Sequence, residues 1–553
     1  MNYNIAQVLP DTAKTCPDRT GLICKTGRGY RSWTFEEMNN IADWYAYRLS
    51  EKGVRRGDRV MLMVRPSLEF ITLTFALFKI GAVIILIDPG MGYKNLLRCI
   101  GQAEPEIFIG IVKAHLFKLI FPRPFKTVRI SICTGSSLGL FGPSFSAVNA
   151  ENKSSGGTPF PTAEMQADDL AAILFTTGST GPPKGVRYEH SIFQAQLKLI
   201  REYYRIGPGD IDQPAFPLFA LFSTGLGACS VIPEMNAAKP AQVDPAKFIK
   251  TIKAYRVTYS FGSPAIWNVV SRYCLDHNIK LPSVKNILMA GAPVPGALLA
   301  RTVSILHEGA EIHTPYGATE SLPVASITAR EILADTWEKT RAGNGVCVGK
   351  PLPDITIKII ETADEPIENW DESLLVPDYV KGEIVVKGPV VTRGYDNNDR
   401  ENHLAKIADG DEFWHRMGDL GYFDEKGRVW FCGRKSHRVI TGSTTMYTVC
   451  CEALFNEHPA VCRSALVGIG PAGEQVPVII VELYDKKVQR ETLLAELHEI
   501  ARHNSITRSI KHFLIHPDFP VDIRHNAKIF REKLGIWATG KLSSQIRFAQ
   551  EQS

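Results

Sequence analysis

Short apolar strands alternate with helical patterns over most of the chain, and this alternation constrains the fold more than any other feature. Strand-like runs occur at 59–64, 82–87, 171–176 and 285–291. Strands that alternate with helices are typical of largely parallel sheets covered by helices. The sequence therefore predicts an α/β fold in which a large N-terminal region of several subdomains contains layered sheets and helices.

The pattern changes near residue 436, where a Gly/Ser/Thr-rich stretch precedes strand-like runs at 463–470 and 476–484. A helical pattern follows at 490–504. With 553 residues, the chain is also too long for one ordinary domain. We therefore expect a large N-terminal domain, a hinge and a small, mobile α+β C-terminal domain. The predicted divisions are 1–433, 434–437 and 438–553.

Composition and local patterns indicate where the protein acts and which partners it is not expected to bind. The eleven Cys are scattered without a C-x-x-C pair, which favours a reducing compartment. A net charge of +5 without basic runs predicts no nucleic-acid partner. The most apolar stretch, 70–90, is divided by Lys79 and Gly81, so it predicts a buried helix and a buried strand rather than a membrane span. The N-terminus lacks a secretory pattern, and we expect a cytoplasmic protein.

The strand-like run at 171–176 leads into a segment rich in Gly, Ser and Thr that ends in Pro-Pro-Lys-Gly. Glycines let backbone N–H groups point toward phosphate oxygens, hydroxyl groups add donors, and lysine adds positive charge. The segment does not match a Walker A loop. The predicted phosphate-binding residues are Thr176, Thr177, Gly178, Ser179, Thr180, Gly181 and Lys184. In the helical pattern that follows, Ser191 and Gln194 fit a capping box.

Further motifs follow downstream in a fixed order. They are Gly291-Ala292-Pro293, Tyr316-Gly317-Ala318-Thr319-Glu320, Gly418-Asp419 with Gly433-Arg434, and His525-Asn526-Ala527-Lys528. Together with the phosphate loop they resemble the motifs of the adenylate-forming superfamily, which comprises acyl-CoA synthetases, nonribosomal-peptide adenylation domains and beetle luciferases. The resemblance covers nearly the whole chain. It implies an AMP-binding N-terminal domain, a C-terminal lid that rotates at the hinge, and ATP-dependent activation of a carboxylic acid as its acyl-AMP.

The resemblance also implies roles for individual residues. Gly291, Ala292 and Pro293 would line the adenine side, where the ring of Tyr316 beside Gly317 packs on the base. Thr319 would contact the α-phosphate and Glu320 would hold Mg²⁺, so ATP and Mg²⁺ are the expected cosubstrate and cofactor. The ribose would be bound by Asp419 and Arg434. Lys528 would bridge the attacking carboxylate and the α-phosphate, where negative charge builds up.

Three departures from the thioester-forming members concern the second half-reaction. Ala220 stands where many acyl-CoA ligases have His, Thr448 replaces a Pro after the hinge, and Asn526-Ala527 precede Lys528. With strings such as HPDFPVDIRHNAKI, they resemble the bacterial olefin-biosynthesis β-lactone synthetase branch. That resemblance implies a long-chain 2-alkyl-3-hydroxy fatty acid whose own hydroxyl group captures the activated carbonyl. It also implies association with other enzymes of the olefin pathway.

The sequence signal for the acyl-binding side of the site is weaker than the signal for the nucleotide-binding side. Phe216, Phe219 and Phe222 recur every three residues and, with Ala220, are expected to line an apolar acyl pocket; ordinary core packing accounts for them equally well. His525 is a candidate base for ring closure, with a surface role as the alternative. Two other functions stay open: a fatty acid–CoA ligase on the same scaffold, and a catalytically silent nucleotide-binding protein. The presence of Lys184, Glu320 and Lys528 argues against the second.

Overall fold

The computed structural model describes residues 2–27, 29–135, 140–141, 144–145, 157–176, 181–216, 218–522 and 528–551. Within these residues the strands form sheets of fourteen, seven, three and two strands. The predicted α/β class is therefore confirmed, with the two large sheets in the N-terminal region.

The elements are numbered in chain order. The strands before residue 300 are β1 (Thr20–Thr26), β2 (Gly29–Thr34), β3 (Arg59–Met63), β4 (Val83–Leu86), β5 (Ile107–Ile111), β6 (Ile130–Thr134), β7 (Ser144–Phe145), β8 (Leu170–Phe175), β9 (Gly185–Glu189), β10 (Ile211–Asp212), β11 (Cys229–Val231), β12 (Tyr259–Gly262) and β13 (Asn286–Met289). The later strands are β14 (Glu311–Ala318), β15 (Ser321–Thr328), β16 (Val346–Pro351), β17 (Thr356–Ile360), β18 (Gly382–Lys387), β19 (Lys406–Asp409), β20 (Glu412–Phe423), β21 (Val429–Arg434), β22 (Val439–Ile440), β23 (Thr445–Met446), β24 (Val461–Ile469), β25 (Val476–Leu483) and β26 (His512–Ile515).

The helices of seven or more residues cover the sheets. They are α1 (Val8–Thr15), α2 (Phe35–Glu51), α3 (Leu68–Ile80), α4 (Tyr93–Ala103), α5 (Val112–Ile120), α6 (His190–Tyr203), α7 (Phe219–Gly225), α8 (Pro245–Tyr255), α9 (Pro264–Asp276), α10 (Gly296–Val303), α11 (Asp399–Ala405), α12 (Thr448–Asn456), α13 (Arg490–His503) and α14 (Arg531–Glu551).

The seven-stranded sheet carries the predicted phosphate loop. Its order is β7-β6-β5-β3-β4-β8-β9, and every neighbouring pair is parallel except β8 and β9. Because parallel strands share a carboxyl edge, β8 delivers Thr176, the first residue of the predicted loop, to the same edge from which α4 and α5 begin.

The fourteen-stranded sheet carries the remaining N-terminal motifs. Its centre is the parallel series β10-β12-β13-β14, which continues through the antiparallel strands β15, β16, β21, β20, β18 and β17. The segment 291–293 follows β13, and β14 extends past its parallel partner β13 to reach Tyr316. Asp419 on β20 and Arg434 on β21 are directly opposite each other. The sheet therefore brings motifs that are far apart in sequence to one region.

The apolar stretch at 70–90 forms a buried helix and a buried strand, as predicted. Ser67 caps α3 through its hydroxyl group, and Gly81 ends the helix with φ +80°. Lys79 is buried and its ammonium lies 2.5 Å from Asp43 Oδ1, which explains how a charge is tolerated there. Of the described residues, none belongs to a helix long and apolar enough to cross a bilayer.

The capping box predicted at Ser191 and Gln194 is wrong. Helix α6 begins at His190, its N-cap is Glu189, and no side chain caps it. The amide of Gln194 instead donates to the backbone carbonyl of Tyr3 at 2.9 Å. The Gln194 side chain is therefore used in a tertiary hydrogen bond and not in the predicted capping box.

Beyond the predicted hinge the chain forms separate small sheets. Strands β24–β26 form a three-stranded sheet that packs against α12 and α13 on one side and α14 on the other. The segment Lys435–His437 is a single 3-10 turn between β21 and β22. The division at 434–437 fits this arrangement, and its action as a hinge stays a prediction.

Candidate active site

The phosphate segment is closed at its base by two hydrogen bonds between its ends. The backbone N–H of Thr176 donates to the carbonyl of Lys184 at 3.0 Å, and the N–H of Lys184 donates to Thr176 Oγ1 at 3.4 Å. Gly181 is exposed, whereas Thr177, Gly178, Ser179 and Thr180 lie outside the described residues. The ends of the predicted loop are thus held together by the β8–β9 hairpin.

Lys184 points toward the segment that follows β18. Its ammonium forms an ion pair with Glu401 and lies 5.0 Å from the centre of the Tyr395 ring. An ammonium over an aromatic face is attracted by the ring quadrupole. Glu401 and Tyr395 therefore hold the lysine of the phosphate segment in place.

Glu320 lies in the turn between β14 and β15, held from two sides. Its carboxylate Oε1 accepts a hydrogen bond from the hydroxyl of Tyr395 at 2.9 Å. Its backbone carbonyl accepts from the N–H and the hydroxyl of Thr392, at 2.9 and 3.0 Å. The neighbouring carbonyl of Thr319 accepts from the hydroxyl of Tyr188 at 2.6 Å. The turn is thereby fixed, with one carboxylate oxygen left without a hydrogen bond from the described residues.

Gly317 shows why this turn requires glycine. A Cβ at this position would lie 2.6 Å from the backbone oxygen of Ser321. Such a contact is far closer than side-chain carbons tolerate, so the tight return of β15 onto β14 excludes other residues.

Asp419, Arg434 and Tyr316 form a polar cluster in which Asp419 is buried and the other two side chains are half-buried. The Tyr316 hydroxyl donates to Asp419 Oδ2 at 2.6 Å, and Arg434 Nη1 lies 3.1 Å from Asp419 Oδ1 without being aligned for a hydrogen bond. Burial raises the pKa of Asp419, although the charge of Arg434 opposes this. The charge of Asp419 in turn raises the pKa of Arg434. The cluster thus presents a carboxylate oxygen that is short of donors.

Lys528, in the C-terminal region, interacts electrostatically with this cluster. Burial and the charge of Arg434 lower the pKa of its ammonium, whereas the carboxylates of Asp522, Glu320 and Asp419 act in the opposite direction. The Lys528 ammonium is therefore within electrostatic range of the two carboxylates of the N-terminal motifs. His525 lies outside the described residues.

The three residues predicted for the adenine side follow β13 at the edge where β14 carries Tyr316. Gly291 adopts φ +97° and is exposed, as is Pro293, whereas Ala292 is half-buried. The turn is therefore open to solvent at Gly291 and Pro293.

The phenylalanines predicted for the acyl side form a continuous aromatic row. The ring centres of Phe216 and Phe219 are 6.0 Å apart, those of Phe219 and Phe222 are 5.6 Å apart, and Phe219 stacks on Phe261. Ala220 is fully buried within the N-terminal core. The row is half-buried, which fits both a pocket wall and core packing.

The sequence contains no signal for the residues that hold Glu320 and Lys184 in position. Tyr395, Thr392 and Glu401 belong to a segment whose backbone pairs with β9, where the N–H of Asp396 donates to the carbonyl of Gly185 at 2.7 Å. Lys406 donates to the carbonyl of Thr392, and burial lowers its pKa to about 7. None of these residues forms a motif, because their contacts arise only in the tertiary structure.

The donor set fits a nucleotide with its divalent cation. Asp419 Oδ1 is buried and receives no hydrogen bond from the described residues, as an acceptor for ribose hydroxyl groups requires. The described residues contain no cluster of three or more His, Cys, Asp or Glu able to hold a metal. A single carboxylate such as Glu320 instead suits Mg²⁺, which is commonly bound by one or two carboxylates plus phosphate oxygens.

Comparison with known proteins assigns the family. The family model described as AMP-binding enzyme matches residues 9–396, well over half of the chain. The chain belongs to this family. It is an adenylate-forming enzyme, an AMP-forming ligase. The predicted membership of the superfamily is thereby confirmed.

Individual relatives extend the similarity over the whole chain. An olefin beta-lactone synthetase of Stenotrophomonas maltophilia is 42% identical over 98% of this chain and 99% of its own length. A second, from Xanthomonas campestris pv. campestris, is 42% identical over 97% of each chain. The structure of an o-succinylbenzoate coenzyme A synthetase of Bacillus subtilis in complex with AMP has a TM-score of 0.74 and 21% identity, and covers 95% of this chain and 97% of its own. At that identity the structural likeness supports the fold alone.

Proposed function

We propose that the enzyme adenylates a long-chain 2-alkyl-3-hydroxy fatty acid and then closes the acyl-AMP to a β-lactone, as in olefin biosynthesis. The observation that carries this proposal is the 42% identity, over nearly the full length, to two proteins named olefin beta-lactone synthetase. The arrangement of the site supports the first half of the reaction, and the departures at Ala220 and Thr448 support the second.

ATP would be bound between the two large sheets and the C-terminal region. Asp419 would accept hydrogen bonds from the ribose hydroxyl groups, with Arg434 beside them, and the Tyr316 ring would pack on adenine next to 291–293. Lys184 and the loop at 176–181 would bind the phosphates. Glu320 would hold Mg²⁺, which when bound offsets negative charge on the triphosphate.

In the adenylation step, a carboxylate oxygen of the fatty acid attacks the α-phosphorus, and the bond to the bridging oxygen of pyrophosphate breaks. Negative charge grows on the α-phosphate oxygens as this happens. Lys528, which interacts electrostatically with Glu320 and Asp419, would offset that charge. Catalysis of this step is then mainly positioning and electrostatic stabilisation.

In the ring-closing step, the 3-hydroxyl oxygen attacks the activated carbonyl carbon, and the carbon–oxygen bond to AMP breaks. The hydroxyl proton passes to a base, for which His525 is our candidate. The nucleophile belongs to the same molecule, so the step depends on a folded acyl chain rather than on an external thiol. The row of Phe216, Phe219 and Phe222 would supply an apolar wall for that chain.

The deciding experiment supplies ATP, Mg²⁺ and a synthetic 2-alkyl-3-hydroxy acid without coenzyme A. We expect AMP, pyrophosphate and a β-lactone in equal amounts, detected by mass spectrometry and by the lactone carbonyl band. The matched substrate without the 3-hydroxyl group should give acyl-AMP and no lactone. Product formation that depends strictly on coenzyme A would instead identify a fatty acid–CoA ligase.

The role of His525 is tested separately. In a His525→Gln variant we expect pyrophosphate release to continue while acyl-AMP accumulates at the expense of lactone. An unchanged ratio of lactone to AMP would remove His525 as the base without affecting the proposed reaction. Association with other olefin-pathway enzymes stays a prediction.

A further inference from the structure

Helix α5 presents apolar side chains on its outward face as well as its inward one. Leu116, Leu119 and Ile120 are 46%, 66% and 69% exposed, and their spacing of three and four residues places them on one side of the helix. Ala114 is on the opposite side and is buried, as is His115. Adjacent exposed aliphatic side chains of this size are unusual unless the surface has a partner.

The apolar surface continues onto the start of α4. Tyr93, the first residue of α4, is 57% exposed and stacks on Phe121, with ring centres 6.3 Å apart. We call Tyr93, Leu116, Leu119 and Ile120 the α5 patch. The contact between the two rings joins the start of α4 to the residue that follows α5.

Positive charge surrounds the α5 patch. Residues 107–134 contain five Lys or Arg and no Asp or Glu, a net charge as large as that of the whole chain. Lys118 is bonded to Ser131, and Arg129 is paired with Asp58. Three exposed cations have no ion pair within the described residues. They are Lys113, Arg123 and Lys126.

This combination fits a lipid surface better than a protein. Interfacial helices bury aliphatic side chains at the headgroup boundary while Lys and Arg contact anionic lipids. Protein interfaces, by contrast, are depleted in Lys. Lys113 and Leu116 lie one turn apart on α5, and Arg123 follows Ile120 by three residues, so cations flank the apolar side chains at both ends.

Helix α5 also begins at the edge of the sheet that carries the predicted phosphate segment. Helix α5 starts directly after β5, and the phosphate segment starts directly after β8, in one parallel sheet with β3 and β4 between them. Three strand spacings amount to roughly 14 Å. Both segments therefore leave the same edge of the sheet.

We propose that the α5 patch docks the enzyme on an anionic lipid bilayer. The outward face of α5 lies at the headgroup boundary, and Lys113, Arg123 and Lys126 contact the anionic headgroups. Docking is separate from the reaction proposed above, since it depends on this surface alone. If the substrate is a long-chain acid, docking brings the site to the phase in which that acid collects.

The test uses the full-length protein and co-sedimentation with vesicles of phosphatidylcholine alone or with phosphatidylglycerol. We expect binding to the anionic vesicles that weakens as salt is raised. The variant Leu119→Gln/Ile120→Gln should bind about tenfold less, and Lys113→Gln/Lys126→Gln should lose the preference for anionic lipid. The matched control is Ile536→Gln, because Ile536 is 77% exposed on a different helix.

Three results would overturn the proposal. They are absence of binding to anionic vesicles at low salt, equal loss in the Ile536→Gln control, and unchanged binding in both patch variants. Size-exclusion chromatography adds a fourth, since self-association abolished by Leu119→Gln/Ile120→Gln would assign the patch to a second copy of the chain. Circular dichroism and the melting temperature of each variant separate loss of docking from loss of folding. Vesicle binding is read without substrate, so it stays informative even if the proposed reaction fails.

Discussion

Tyr395 connects Glu320 and Lys184, two residues proposed to act at the phosphates of ATP. Its hydroxyl group donates to Glu320, its ring faces the ammonium of Lys184, and its backbone N–H donates to Asn402 Oδ1 at 2.6 Å. Burial keeps the phenol protonated by raising its pKa. One side chain therefore positions both the carboxylate proposed for Mg²⁺ and the lysine proposed for phosphate.

Two substitutions at Tyr395 separate these contacts. Tyr395→Phe keeps the ring over Lys184 and removes the hydrogen bond to Glu320, so we expect a higher Mg²⁺ requirement with little change in KM for ATP. Tyr395→Leu removes both contacts and should also raise KM for ATP. Mg²⁺ titrations of pyrophosphate exchange measure the difference. Identical profiles for the two variants would show that the ring over Lys184 contributes nothing. The control is Tyr422→Phe, which loses a buried hydroxyl bonded to the carbonyl of Asn344.

His190 links stability to pH. Burial lowers its pKa to about 4, and its Nδ1 accepts a hydrogen bond from the backbone N–H of Ile5 at 3.1 Å. Because the unfolded histidine titrates near 6.5, the unfolded state binds the extra proton below that pH, and stability falls as pH decreases toward 4. We expect this residue to account for a loss of about 2 kcal/mol between pH 7 and pH 5. Urea unfolding of His190→Asn, which keeps an acceptor but does not titrate, should show a smaller loss over that range.

At the scale of an element, Gly433 determines how closely the end of strand β21 packs against helix α12. Gly433 adopts φ +134°, and a Cβ there would overlap Thr448 Oγ1 at the start of α12. Lys435, two residues on, lies 3.0 Å from the buried carboxylate of Glu383. The end of β21 is therefore packed tightly against the first turn of the C-terminal region.

Substitution of Gly433 should disturb the seating of α12. Gly433→Ala adds both the overlap and the strain of a positive φ, so we expect a loss of roughly 2 kcal/mol or more. Thr448→Ala removes the overlapping hydroxyl group. The double variant should therefore recover part of the stability lost in Gly433→Ala, while the strain of the positive φ remains. Chemical denaturation of the two single variants and the double variant gives the coupling energy. Purely additive losses would show that the overlap is relieved in another way.

Elements were easier to predict from the sequence than the contacts between them. The runs at 59–64 and 476–484 form β3 and β25, with ends that differ by one residue, because apolar patterning marks burial and not the last hydrogen bond. Lys184, Glu320 and Asp419 stood in recognisable strings. Tyr395 and Lys406 did not, since their roles come from a segment that folds back onto β9 from more than two hundred residues away. The capping box predicted at Gln194 is wrong for the same physical reason, because this side chain is hydrogen-bonded to Tyr3.

At the scale of the whole molecule, the site is assembled from both ends of the chain. Lys184 comes from the seven-stranded sheet, Glu320 and Asp419 come from the fourteen-stranded sheet, and Lys528 comes from the C-terminal region. The proposed reaction uses these contributions unequally. Adenylation needs Lys528 at the α-phosphate, whereas ring closure needs only a folded acyl-AMP and a base.

Lys528→Ala should therefore separate the two half-reactions. We expect pyrophosphate exchange to fall by about 10²–10³, the loss typical of one electrostatic contact in a transition state. Lactone formation from chemically prepared acyl-AMP should stay close to the wild-type rate, because the α-phosphate is no longer the reacting centre. Lys533→Ala, which removes an exposed lysine nearby, controls for the loss of charge. If both half-reactions slow equally, Lys528 holds the C-terminal region in place rather than offsetting charge. Both steps would then depend on the position of the C-terminal region.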